Sequence, residues 1–158
     1  MGLFEQDVGY GRGNGKAHLT LTGRAVTVIS PAQVTAALSA AATTGHPIIL
    51  LSAPFAADYV GPAWFAKLVA TAAKDFPDAM ATPVLDCGDA PGFALAALRI
   101  GITAICFDGP TAARIRDIAE QYGATVLAER PKSLDLQALD IGRADLVAAC
   151  TAWLNAPS

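Results

Sequence analysis

Five apolar stretches of this chain each run into a small or acidic residue at nearly regular spacing. AVTVI leads to Ser30, PIILL to Ser52, TPVL to Asp86, TAICF to Asp108 and TVLA to Glu129. Successive intervals between these five residues are 22, 34, 22 and 21. That spacing is too long for hairpins and matches one strand, one helix and two short loops. A run of βα units around a parallel sheet of about five strands, with flanking helices, is the expected fold. Side chains that do chemistry in parallel α/β architectures gather at the carboxyl ends of the strands, so Ser52, Asp86, Asp108 and Glu129 are expected to face one site.

With 158 residues the chain can bury a core of one domain. Apolar residues make up 53% and charged ones 16%, which argues against disorder. A net charge of −3 with no basic stripe leaves nucleic acid without an electrostatic footprint. No segment approaches the ~20 apolar residues that span a bilayer, and MGLFEQDVGYGRG lacks a basic region followed by an apolar run. A cytoplasmic protein with no membrane partner is expected. Cys87, Cys106 and Cys150 contain no CxxC and form an odd set, so reduced thiols are expected, with Cys106 and Cys150 as small core residues.

Residues 1–23 are rich in glycine and polar side chains and read as an N-terminal arm, with HLTLTG as a short strand that could form a hairpin with AVTVI. GNGK within the arm is not a phosphate loop, because Tyr10 and Ala17 stand where that motif requires glycine and Ser or Thr. Residues 24–158 read as a single α/β domain. Ser30 and Pro31 open a helix that Gly45 stops. PAWFAKLVATAAKDF is a second helix, with Trp64, Leu68 and Ala72 at helical spacing and Trp64 as a core or subunit-contact residue. Pro91 opens a third and Gly123 ends a fourth. RPKSLDLQALDIG is poorly periodic and reads as a loop, and RADLVAACTAWL is a final helix whose Trp153 packs down onto the sheet.

Three carboxylates at strand ends suit acid/base work, the holding of substrate hydroxyls, or a hard cation such as Mg²⁺. Alternatively Asp86 and Asp108 are caps of the helices that follow them. His46 precedes its strand and so lies at the amino end of the sheet, and His18 belongs to the arm. Cys87 is then the one soft ligand at a strand's carboxyl end, which argues against a zinc site of three or four protein ligands. Lys132 in RPKS reads as a solvated loop residue.

The order HPIILLSAP, FAADYVGPAWFAKLVATAAKDFP, TPVLDCGDAPGF, ALRIGITAICFDGP and TVLAERP resembles the class II, metal-dependent aldolase family of the fructose- and tagatose-bisphosphate type. The resemblance runs from about Ala25 to Pro131, and ALRIGITAICFDG is its most specific part. It implies the βα arrangement of a TIM (βα)8 barrel, of which this length would supply the first five units, since a full barrel takes ~250 residues. By position it implies Asp86 as the catalytic acid/base. Ser52, Cys87, Asp108 and Glu129 are the accompanying candidates for substrate binding. Cys87 stands where the family has a zinc-binding histidine, so no metal ligand is carried over. Two functions are therefore expected in parallel. One is an aldolase-like protein of carbohydrate metabolism that binds a small oxygenated, sugar- or keto-acid-like metabolite, with lyase activity through Asp86. The other is a non-catalytic ligand-binding or interaction module on the same scaffold. An open half-barrel would expose strand edges and an inner face, so a homodimer or higher oligomer is the expected partner state.

Overall fold

The computed structural model describes residues 21–139 and 142–157. Of the arm expected over residues 1–23, residues 1–20 lie outside the described residues. Six strands form one all-parallel sheet: β1 (Arg24–Thr27), β2 (Ile48–Leu51), β3 (Ala81–Asp86), β4 (Ala104–Cys106), β5 (Thr125–Leu127) and β6 (Ser133–Asp135), in the order β5-β4-β3-β2-β1-β6. Helices α1 (Pro31–Thr44), α3 (Pro62–Ala73), α4 (Pro91–Arg99) and α5 (Ala112–Gln121) fill the crossovers, and α6 (Arg143–Asn155) follows β6. The longer interval between Ser52 and Asp86 has a simple cause: a one-turn helix, α2 (Ala56–Tyr59), precedes α3 there.

Ser30 caps α1 by accepting from the Gln33 amide at 3.3 Å, and Gly45 ends the helix in the left-handed conformation. Ala36, Ala37, Ala40 and Ala41 are all buried in α1. Their small size lets the helix lie close to the sheet and to α6, which packs beside it. On α3 the buried residues are Phe65, Leu68 and Val69, whereas Trp64 is 44% exposed. Leu68 of the expected stripe is buried, and Phe65, one helical step or about 100° from Trp64, takes the buried place beside it. Trp153 does reach the sheet, its indole Nε1 donating to the Ala25 carbonyl at 2.9 Å beneath the Arg24 guanidinium.

The sixth strand corrects the expectation of a loop over RPKSLDLQALDIG. Ser133, Leu134 and Asp135 pair with Ala25, Val26 and Thr27. Three residues are too short to show a period, which is why the strand leaves no mark in the sequence. It also takes the second edge of β1, so AVTVI has no free edge for a hairpin with HLTLTG.

β5 and β6 are the two outer strands, yet only residues 128–132 connect them. In a flat sheet they would lie about 24 Å apart, at ~4.8 Å per strand. Six Cα steps from Leu127 to Ser133 span at most about 21 Å. The sheet must therefore curl to bring its edges toward one another, although β5 and β6 do not pair and the barrel is not closed. The curl encloses the inner face. Ala25, Ile49, Leu51, Val84, Ala104 and Cys106 form a small inner cluster and are all buried, so this face is not the open apolar surface expected of a half-barrel. The other face carries the larger core, including Val26, Leu50, Leu85, Ile105 and Phe107, under the helices.

Gly23 turns the chain into β1 at φ +102, and a Cβ there would collide with the Pro47 carbonyl. Gly45 has a similar φ of +70 but open space around it. Gly45→Ala should cost about 1 kcal/mol, the conformational term alone, while Gly23→Ala should cost at least twice that. Equal denaturation midpoints for the two variants would contradict the close approach at Gly23.

Candidate functional site

The inner face of β3 ends in Asp86. Strand alternation places Val84 and Asp86 on the inside and Leu85 and Cys87 on the helix side. Asp86 is 4% exposed, and both of its oxygens have donors. Oδ1 accepts from the Gly88 amide at 2.8 Å, and Oδ2 accepts from Arg130 Nη1 at 2.6 Å. Its own amide donates to Ser52 Oγ at 2.8 Å.

Arg130 lies at the middle of the 128–132 link and reaches three strand ends. Besides Asp86 at the end of β3, it reaches through Nη2, which donates to the Ser52 carbonyl after β2 at 3.0 Å and to Thr27 Oγ1 on β1 at 3.4 Å. Thr27 Oγ1 also shares a 2.8 Å hydrogen bond with Ser133 Oγ on β6. The guanidinium fork suits this task, because its coplanar donors can serve a carboxylate and a carbonyl together.

Above the pair opens a cleft of about 300 Å³. Asp86, Arg130 and Cys106 line it, together with Phe107, Ala128, Gly88, Pro54 and Phe55, and the exposed Asp89 and Asp108. Phe55 is 58% exposed and holds a left-handed backbone, φ +56, uncommon for a non-glycine residue. Gly88, at φ +55, lies under its ring, where any Cβ would strike the aromatic carbons.

The candidate residues therefore divide. Asp86 and Asp108 share the cleft, and neither caps a helix, since α4 and α5 begin after Ala90 and Thr111 without side-chain caps. Ser52 is buried beneath the cleft as a support for Asp86 and Arg130, its hydroxyl donating to the Ala53 carbonyl. Glu129 is exposed and outside the cleft lining. Cys87 is buried in the helix-side core, and its thiol pKa is pushed up to about 12 by burial first and then by the Asp86 charge. Cys106, expected as a core residue, is buried but lines the cleft, and its thiol is also pushed up to about 12, mainly by burial. Among the described residues no group of three or more His, Cys, Asp or Glu side chains is placed to share a metal ion. With Cys87 turned away, the donor set does not fit the zinc of the class II aldolases. Sequence reasoning missed Arg130, Asp89 and Phe55. Arg130 adjoins the favoured Glu129, and nothing in LAERP says which of the two turns inward.

Comparison with known proteins bears on the lineage. Over 77 residues, 49% of this chain, the sequence is 34% identical to the plasmid fructose-bisphosphate aldolase of Cupriavidus necator. A crystal structure from Coccidioides immitis, its protein assigned as a fructose-1,6-bisphosphate aldolase, superposes with a TM-score of 0.51 over 82% of the chain at 17% identity. The likeness is thus to aldolases, over part of the chain. It spans 22% of the length of the curated relative and 52% of the solved chain. At 17% identity the structural likeness speaks for the fold alone. No family model matches the sequence. Within the described residues of this aldolase-like chain, no helix is long and apolar enough to cross a membrane.

Removing one member of a buried ion pair leaves an uncompensated charge. Arg130→Met should therefore cost about 3 kcal/mol. Asp86→Asn should cost less, because the amide keeps an acceptor for Gly88. The double variant should lose less than the sum of the two, by at least about 1 kcal/mol. Strict additivity in urea melts would show that the 2.6 Å contact carries no coupling.

Proposed function

We propose that this aldolase-like chain binds a small oxygenated metabolite, rich in hydroxyls like a sugar, in the cleft over Asp86 and Arg130, and that it does so as a binding module. The observation that supports this choice over a lyase is the engagement of both Asp86 oxygens. A general base must offer a lone pair within hydrogen-bond reach of the proton it removes. Here one oxygen is held by the Gly88 amide and the other by the Arg130 guanidinium. Asp108 remains at the rim with an open carboxylate, suited to accept from ligand hydroxyls. Three buried thiols without a disulfide accord with a reducing compartment such as the cytoplasm.

Ligand-detected NMR across a panel of small sugars and keto acids tests this reading. Binding should appear, and Phe55→Ala should weaken it about tenfold, the equivalent of ~1.4 kcal/mol for a lost aromatic wall. Aldol cleavage by the same preparation, abolished by Asp86→Asn, would put the lyase ahead instead.

Self-association belongs to the same proposal, now on a different ground. With the inner face buried, the surfaces left to a second copy are the strand edges, and all three residues of β5 are half-buried beside a free edge. Light scattering over a dilution series should find a dimer, weakened by Val126→Pro, which removes an edge donor. A monomer at every concentration would rule out pairing through β5.

A further inference from the structure

The charges around the cleft say what kind of ligand it accepts. Arg130 is its one cation among the described residues, and that charge is already balanced by Asp86 at 2.6 Å. The carboxylates of Asp89 and Asp108, both residues exposed at the rim, have no hydrogen-bond or ionic partner among the described residues. Resting on the ligand-binding reading above, we propose that the cleft selects donor-rich ligands without anionic groups, and rejects the phosphate esters of the same sugars.

The reasons are chemical. A carboxylate only accepts hydrogen bonds, so its ligand must supply donors, and hydroxyls do so without charge. A phosphate brings about −1.5 to −2 of charge at neutral pH and acceptor oxygens. Placed here it meets two uncompensated carboxylates and finds no free cation among the described residues. Arg130 would have to share its single charge between the phosphate and Asp86, which is 4% exposed and depends on that counter-charge. Pro54 and the exposed ring of Phe55 add apolar surface to the same lining. A sugar offers both surfaces at once, hydroxyls on its edge and C–H groups on its face. The left-handed backbone of Phe55 keeps the ring over Gly88 at the mouth rather than folded away.

The experiment compares a free hexose, its 6-phosphate and inorganic phosphate by two-dimensional amide NMR at low ionic strength, with the full chain. The free hexose should shift the amides of Phe55, Gly88, Asp89 and Asp108. Its 6-phosphate should bind at least tenfold more weakly, and inorganic phosphate should leave the cleft unperturbed. Asp89→Asn combined with Asp108→Asn changes only exposed side chains, and should narrow the gap between hexose and ester several-fold; added salt should do the same. A phosphate ester that binds as tightly as the free sugar, or a gap that ignores both neutralisation and salt, overturns the selectivity while leaving the cleft as a binding site. If neither sugar shifts the cleft amides, the binding reading itself falls, and this inference with it.

Discussion

One guanidinium holds the mouth of this sheet together. Arg130 sits on a five-residue link between strands at opposite edges, and it bonds to the ends of β1, β2 and β3. A closed barrel keeps its curl through a continuous ladder of strand pairs. Here β5 and β6 do not pair, so the link and its arginine tie the two edges where the ladder is missing. The Thr27 and Ser133 hydroxyls extend the same network to β6.

The arginine also determines what Asp86 can do. A carboxylate at the carboxyl end of an inner strand is where acid/base chemistry is expected in parallel α/β folds. With its charge compensated and each oxygen already accepting one hydrogen bond, the same carboxylate anchors the strand ends and floors the cleft. Stability and function compete for this residue, and the 2.6 Å contact favours stability. The exposed rim of the cleft carries Asp89, Asp108 and Phe55.

The helix side of the sheet follows ordinary rules. Alanine-rich α1 packs against α6 and β2, and the one non-glycine residue with a left-handed backbone among the described residues, Phe55, lies at the cleft. Backbone strain in a non-glycine residue persists only where the surroundings hold it. At Phe55 the aromatic ring is confined over a glycine that admits no side chain.

By itself the sequence determined the βα rhythm, the helix starts at Ser30–Pro31 and Pro91, the stop at Gly45 and the likeness to the class II aldolases. These depend on local patterns of apolar spacing, capping and turn chemistry that act within ten or twenty residues. It also placed Asp86 and Asp108 at strand ends, because the end of an apolar run is legible where a small or acidic residue stops it. The tertiary structure decided the rest. A three-residue β6 exists because β1 offers it an edge, not because SLD favours extension. Trp64 turns outward while Phe65 turns in, a difference of one helical step that the packing partner selects. Whether Glu129 or Arg130 enters the cleft depends on an ion pair with a residue 44 positions earlier in the chain, and no local pattern encodes a contact between residues so far apart.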